Sequence, residues 1–349
     1  MSEQEAGGPG LRKLNPVRRK VVSGAPASLV KTSLLVAGQS LPLVIEPAVR
    51  GVELCAWAAG NRAFIEAHLA EHGGLLFRNF NVASAGEFEQ FIEACAGEPL
   101  EYRERSSPRS PVSGNIYTST DHPADQSIFL HNENSYQDAW PLKIFFYCAT
   151  PATRGGETPI ADVRRIYNRI DPQIRARFAE RQWMYIRNFG DGFGLPWPAV
   201  FQTTDKQAVE AHCARHGISA EWKDGDRLRT RAVRPAIAKH PRTGELVWFN
   251  HATFFHVTTL EPNLRATLLR EFGVEDVPTN TCYGDGTPIE PEVLEHLRAA
   301  YAQETVSFAW QQGDILLLDN MLVAHGRAPY EGARRILVGM AEPWSDRGL

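Results

Sequence analysis

His131-Asn132-Glu133 sets an imidazole and a carboxylate two positions apart, directly after the apolar run Ile128-Phe129-Leu130. Alternate residues of an extended strand share a face, so His131 and Glu133 can aim at one ion. The chain has 11 histidines and 41 acidic residues in 349, enough for about one chance His-x-acid match, and this is the match that occurs. Its place at a strand end is therefore what counts; taken alone, the pair reads equally as a His and a Glu facing solvent. A second piece lies 192 residues beyond Glu133. Asp314-Ile315-Leu316-Leu317-Leu318 reads as a buried strand, Asp319-Asn320 breaks it, and His325-Gly326-Arg327 follows. Arg335 stands ten residues after His325 on what reads as the next strand, so both side chains can face one cavity. Two neutral imidazoles and one carboxylate leave positions open on a metal, an arrangement suited to non-heme Fe(II). A guanidinium beside them can grip a dicarboxylate through a bidentate fork, which a lysine cannot imitate. Against this stands a core histidine beside an ordinary surface arginine.

The elements that must position these residues come in mixed order. Residues 53–72 carry Leu54, Trp57, Phe64, Ile65, His68 and Leu69 at helical spacing and stop at Gly73-Gly74. Leu75-Leu76-Phe77 reads as a short strand, and Ser84 as the cap of a helix reaching about Cys95. Further strands are expected at 143–150, 227–233, 246–249, 305–309, 314–318 and 335–340, with a hairpin turn at 241–244. Helical insertions are expected at about 162–181, 205–216 and 262–303, and 190–204 reads as a Gly/Pro/aromatic loop. A βαβα alternation does not fit, which disfavours a parallel doubly wound sheet. The expectation is a mainly β (α+β) chain with residues 26–349 as a single sandwich domain, helices outside and long functional loops. Residues 1–25, with Gly7-Gly8-Pro9-Gly10 and Arg18-Arg19-Lys20, hold few apolar side chains to offset ordering and read as a flexible tail.

Composition narrows the classes. Lys plus Arg is 37 against 41 Asp plus Glu, so the basic surplus of a bulk nucleic-acid binder is missing. No run of 18 apolar residues predicts a membrane span, and residues 1–10 lack the apolar stretch of a secretory signal. The five scattered cysteines form no CxxC pair and fit neither a zinc ribbon nor a disulfide framework. A cytoplasmic location is expected, and a homo-oligomer is left open.

Taken together, His131-x-Glu133, Thr158, His325 and Arg335 resemble the TauD/TfdA family of Fe(II)/2-oxoglutarate dioxygenases. Gly155-Gly156-Glu157-Thr158, with its threonine 27 residues after His131, is similar to that family's cosubstrate-binding segment. Asp319-Asn320, His325 and Arg334-Arg335-Ile336 resemble its C-terminal signature, and the resemblance runs from about residue 74 to the end. Three stretches are similar to the SyrP-like branch found with nonribosomal peptide assembly lines: His131-Asn132-Glu133-Asn134-Ser135-Tyr136, Trp140-Pro141-Leu142-Lys143-Ile144-Phe145-Phe146 and Thr158-Pro159-Ile160-Ala161-Asp162. The resemblance implies a double-stranded β-helix core (jelly-roll, clavaminate synthase-like). It implies His131, Glu133 and His325 as iron ligands, Thr158 and Arg335 on the distal carboxylate of 2-oxoglutarate, and O2 as the oxidant. It further implies hydroxylation of an aliphatic C–H of an amino-acid-type substrate. Halogenating relatives carry a small residue where Glu133 stands, whereas desaturation and epoxidation share the intact triad and stay open. Sulfonate-using relatives place a second arginine four residues after the cosubstrate arginine. That position is Gly339 here, and an unpaired buried anion is costly, so taurine is disfavoured.

Asn115, Tyr117, Ser119, Tyr136, Asn250 and Phe255 are the candidates for substrate contact, with core aromatics and satisfied amides as the plainer reading. His251 and His256 are spare imidazoles beside a triad already filled. The SyrP-like resemblance suggests an aminoacyl thioester carried by a peptidyl carrier domain, which presents acidic helices. Arg227, Arg229 and Arg231 on one strand face, and Arg103, Arg105 and Arg109, are two basic groups that could meet it or be solvated faces. A hydroxylase of a free amino acid is the nearest alternative. A Zn(II) hydrolase on the same ligands leaves Arg335 and Thr158 unexplained and lacks HExxH, and an inactive carrier-docking module has no need of an intact triad.

Overall fold

The strands that read as unbroken apolar runs do so because both of their faces are covered. In the computed structural model, which describes residues 29–36, 38–101, 110–119, 122–190, 192 and 194–346, alternate residues of one strand enter different cores. Leu76, Ile144, Phe146, Leu316, Leu318, Ile336 and Val338 belong to one cluster, and their neighbours Leu75, Phe77, Phe145, Tyr147, Ile315, Leu317 and Leu337 to another. The sheet that separates them runs Val30–Val36, Gln39–Pro47, Gly74–Phe77, Ile315–Asp319, Trp140–Thr150, Arg335–Trp344, Ile116–Thr118, Pro111–Ser113. Its pairings are antiparallel except that of Gln39–Pro47 with Gly74–Phe77. Helices Leu54–Gly60, Arg62–His72 and Ala85–Ala96 cover the second cluster through Leu54, Trp57, Ile65, Leu69, Phe88, Phe91 and Ile92.

The other face meets a smaller sheet ordered Thr305–Val306, Ile160–Asp162, Val323–Arg327, Ile128–His131. Two antiparallel sheets face to face, with the candidate ligands on the smaller one, make the jelly-roll expected of the chain. A third, antiparallel sheet of Ile218–Trp222, Leu228–Arg234, Trp183–Phe189 and Thr279–Tyr283 stands beside it.

Local chemistry sets the boundaries. Ser84 Oγ accepts from the Glu87 N–H, and Asp162 caps Val163–Arg169 by accepting from Arg164 and Arg165 N–H groups. The helical pattern over 53–72 is two helices divided at Asn61, whose Nδ2 donates to the Trp57 carbonyl. The insertion expected as helical over 262–303 is interrupted by the strand Thr279–Tyr283 between helices Pro262–Asp276 and Pro291–Glu304. The short helix Trp197–Phe201 sits inside the 190–204 loop. The tail at 1–25 and the cluster Arg103, Arg105, Arg109 lie outside the described residues. Among the described residues, no helix is long and apolar enough to cross a membrane.

Asn320, in the turn that leads into the His325 strand, ties that turn to the segment carrying Glu133. Its Oδ1 accepts from the Glu133 N–H at 2.7 Å, and its Nδ2 donates to the Glu133 and Pro141 carbonyls, each at 2.9 Å. Its own carbonyl accepts from Asn132 Nδ2 at 2.7 Å, and the residue is wholly buried. Asp319 fixes the same turn: Oδ1 accepts from Met321 and Leu322 N–H groups, and Oδ2 lies 3.1 Å from His240 Nε2. His240 Nδ1 accepts from the Arg242 and Thr243 N–H groups, so its proton sits on Nε2 and is donated to Asp319. Replacing Asn320 by alanine orphans buried donors and acceptors, so Asn320→Ala is expected to lower unfolding free energy by about 2–4 kcal/mol in urea titrations. A change within 0.5 kcal/mol would show that the clamp is not structural.

Candidate active site

His131 and His325 are direct cross-strand partners in the smaller sheet, with ring centroids 4.5 Å apart. Antiparallel pairing therefore brings together two imidazoles that the sequence separates widely. The register slips between His325 and Arg327, where Gly326 lies so close to the opposite strand that a Cβ would stand 2.6 Å from the Ile128 carbonyl. Glu133 arrives by a different route from the one its spacing predicts. The strand ends at His131, Glu133 lies in the following turn, and the Asn320 clamp rather than strand alternation aims its carboxylate. Glu133 Oε2 stands 3.8 Å from His325 Nε2, and one donor atom from each of His131, Glu133 and His325 lies within 4.8 Å of the others. His131 Nδ1 lies 2.9 Å from the Phe129 carbonyl. Donation there leaves the Nε2 lone pair for a metal, the second-shell arrangement usual for a ligating imidazole. Two imidazoles and one carboxylate, largely buried and on one side, fit a divalent iron with positions left open.

Beside the triad, a narrow pocket is lined by Ser119, Thr158, Phe146, Arg334, Ile336 and Val338 together with His131 and His325. Its arginine is Arg334, not Arg335. Residues 334, 336 and 338 share a strand face, so Ile336 and Val338 in the pocket bring Arg334 with them, while Arg335 points the other way and is exposed. Arg334 Nε donates to the Gly156 carbonyl at 2.8 Å, and its Nη atoms lie 3.5 Å from Ser119 Oγ and Thr158 Oγ1. Gly156 makes room for it: a Cβ there would stand 3.0 Å from Arg334 Cδ and 2.9 Å from Ala152 Cβ. Thr158 Oγ1 also accepts from Trp310 Nε1 at 3.1 Å. The Arg334 partners are neutral oxygens, and among the described residues no carboxylate pairs with it. Burial first, and Arg327 second, pull its pKa down to about 10, so it stays a cation at neutral pH with an unmet demand for an anion. With Arg334 as reference, the position four residues on is Val338. It is apolar and lines the pocket, whereas a Cβ at Gly339 would meet Ile92 Cδ1 at 2.4 Å in the opposite core.

An open cleft of about 670 Å³ lies over the triad and is lined by Tyr136, Phe254, Phe255, His251, Asp125 and Glu261, among others. Of the candidates for substrate contact, Tyr136 and Phe255 line this cleft. Ser119 belongs instead to the arginine pocket. Asn250 shapes a turn, its Nδ2 donating to the Ala236 carbonyl and its Oδ1 accepting from the Ala252 N–H. Asn115 Nδ2 donates to the Pro99 carbonyl, and Tyr117 is packed in the core; neither lines this cleft. His251 is a wall of the cleft, not a ligand. Its ring stacks on Phe255 at 4.7 Å and its Nδ1 lies 2.6 Å from Ser135 Oγ. Burial, then His131, hold its pKa well below the usual range, so it is neutral. His256 caps a short turn through Thr258, and burial, then Arg298 and Arg265, hold it at about 4. The alternating arginines do not form a free basic face, because Arg229 pairs with Asp276 at 2.6 Å and Arg231 with Glu221 at 2.8 Å. Sequence reasoning missed Arg334 and Trp310. The even-numbered apolar residues Ile336, Val338 and Met340 were the signal for Arg334; Trp310 left none.

The sequence profile described as "Taurine catabolism dioxygenase TauD, TfdA family" matches residues 38–341. The chain is 42% identical over 279 residues to the dapdiamide synthesis protein DdaC of Enterobacter agglomerans, covering 80% of this chain and 85% of that one. It is 30% identical over 289 residues to a clavaminate synthase-like protein of Arabidopsis thaliana, covering 80% and 84%. In fold it is similar to PvcB of Pseudomonas aeruginosa, with a TM-score of 0.54 at 17% identity over 91% of this chain and 92% of that one. The profile spans the strands that carry the triad and the arginine pocket, and the chain therefore belongs to the TauD/TfdA family of Fe(II)/2-oxoglutarate-dependent dioxygenases.

Proposed function

We propose that this dioxygenase hydroxylates an aliphatic C–H of an amino-acid-type substrate, with Fe(II) held by His131, Glu133 and His325 and 2-oxoglutarate anchored by Arg334. The observation that carries the reading is the half-buried Arg334 guanidinium, partnered by neutral oxygens in a pocket that also contains both candidate histidine ligands. A dicarboxylate fits that geometry: the guanidinium with Thr158 and Ser119 takes one carboxylate, leaving the other end to face the triad. Held there, Fe(II) with 2-oxoglutarate and O2 would supply the oxidising power for C–H hydroxylation. The chain's own residues orient and exclude. His131 is fixed in one tautomer by the Phe129 carbonyl, Glu133 is aimed by Asn320, and Phe254, Phe255 and Tyr136 keep an apolar wall over the triad. Glu133 keeps its carboxylate in the ligand set, which favours hydroxylation over halogenation.

Asp125 and Glu261 line the outer cleft and suit the ammonium of an amino acid. A second open cleft of about 780 Å³, with Arg187, His212 and Tyr185 in its wall, shares Tyr136 with the first and gives room for an extended substrate. That room, the SyrP-like motifs and the similarity to a protein of dapdiamide synthesis support a role in natural-product biosynthesis on an acyl group tethered to a peptidyl carrier domain. Docking through the Arg229 and Arg231 face does not support it, since those charges are already paired.

Anaerobic addition of Fe(II) and 2-oxoglutarate should give a weak visible charge-transfer band that is lost in His131→Ala. The two arginines separate cleanly. Arg334→Gln is expected to raise KM for 2-oxoglutarate by about 10- to 100-fold, the worth of a charge-assisted hydrogen bond, while Arg335→Gln leaves it within about twofold. The reverse order would return the cosubstrate role to Arg335. For the tether, turnover of an aminoacyl-carrier thioester is compared with that of the free amino acid, and efficient oxidation of the free acid would remove the carrier from the reading.

A further inference from the structure

The last turn of helix Arg62–His72 carries a second group of metal-type donors, on the outer side of the larger sheet and apart from the triad. His68, Glu71 and His72 stand at i, i+3 and i+4, so their side chains share one helix face. His-x-x-Glu-His sets two imidazoles at i and i+4 of one helix face, a spacing at which both can ligate zinc, and here Glu71 shares that face. The donor atoms have converged: Glu71 Oε2 lies 3.7 Å from His68 Nδ1 and 3.7 Å from His72 Nε2, and the three lie within 4.8 Å of one another. Ligands about 2.0–2.1 Å from a tetrahedral Zn(II) are roughly 3.3–3.5 Å apart, so each imidazole has to move only a few tenths of an ångström relative to Glu71, with the two imidazoles closing from within 4.8 Å of each other.

Three further observations favour a cation there. His72 Nδ1 lies 2.8 Å from the Ser40 carbonyl, and donation to it turns the Nε2 lone pair toward Glu71, the same orientation His131 takes from Phe129. His68 Nδ1 is buried, and among the described residues no hydrogen bond reaches it, although the Phe64 ring holds its imidazole edge-on at 4.3 Å. The donors also sit at a helix C-terminus, where the backbone dipole favours positive charge. Their base is rigid, because Arg164 donates to the Ala70 and Glu71 carbonyls while its own charge is taken by Asp162 and Glu245.

We propose that His68, Glu71 and His72 form a second metal site, specific for a borderline divalent ion such as Zn(II), with a solvent-side position left for water. The ion clips the helix end to the strand Gln39–Pro47 through His72 and Ser40. It is a stabilising site, independent of the oxygenase chemistry.

Zinc titration of the untagged full chain by calorimetry tests this, with ZnCl2 alone as the probe. Wild type is expected to bind two ions, and His68→Gln and Glu71→Gln each to bind one, with the Fe(II)/2-oxoglutarate charge-transfer band unchanged. In His131→Ala/His325→Ala one ion should remain, and adding His68→Gln should weaken it at least tenfold. Tetrahedral Co(II) at the helix should give an intense visible spectrum in wild type that His68→Gln abolishes; if the triad double variant does not fold, this comparison decides alone. A single zinc per wild-type chain, or two that persist in both His68→Gln and Glu71→Gln, would show that the three side chains form a proton-bridged ion pair only.

Discussion

The geometry of the whole site hangs on one buried amide. Asn320 belongs to the turn that leads into the His325 strand, yet its side chain is spent on the backbone of Glu133 and Pro141. Cross-strand pairing fixes His131 against His325, but it says nothing about Glu133, which lies beyond the end of its strand. Without the amide the carboxylate would ride on a free turn. With it, the position of the third donor is referred to the same turn that launches the second. Asp319 stiffens that turn from the other side through two N–H groups and His240. The three candidate donors, two paired across the smaller sheet and one in the turn beyond it, are thus held as a single rigid unit, which is what a facial donor set with open positions would need.

Strand periodicity decides the second half of the site. Between Arg334 and Arg335 the chemistry is identical, and only the face differs. The pocket face of the strand continues through Ile336 and Val338, so the guanidinium that reaches the cavity is the even-numbered one. Gly156 matters for the same reason: its carbonyl receives Arg334 Nε, and its missing side chain leaves the space that the arginine's methylenes fill. A glycine-rich approach to Thr158 is therefore part of the arginine's socket.

Much of this was legible in the sequence because it depends on local patterns. The strand that ends at His131, the Ser84 cap and the buried run Ile315–Asp319 declare themselves by an apolar run or by a capping residue. What stayed hidden depends on long-range pairing. Which of two adjacent arginines turns inward depends on which face of their strand meets the cavity, and the neighbouring strands decide that. Asn250 and Asn115 looked like substrate contacts because amides among aromatics suit a pocket, yet both are used by backbone carbonyls that the sequence gives no means of locating. The alternation of Arg229 and Arg231 was real, but their partners Asp276 and Glu221 come from other segments, so a seemingly basic face is neutral. The side sheet containing Trp183–Phe189 and Thr279–Tyr283 escaped notice because its strands sit singly between helices.

Charge is sorted along the axis of the active site, and the sorting bears on which molecule goes where. The inner pocket holds Arg334 with Arg327 at its edge, and among the described residues no acidic side chain lines it. Beyond the triad, the cleft carries Asp125 and Glu261. On the proposed reading, the Arg334 end of the site suits a dianionic cosubstrate, and the outer acids suit a substrate that carries an ammonium group. Glu133, at the boundary, is the one carboxylate that both would meet, and its negative charge is the one a bound metal neutralises. A divalent metal held there would offset the Glu133 charge, leaving Arg334 on one side of the triad and Asp125 and Glu261 on the other as the charges that sort the two ligands.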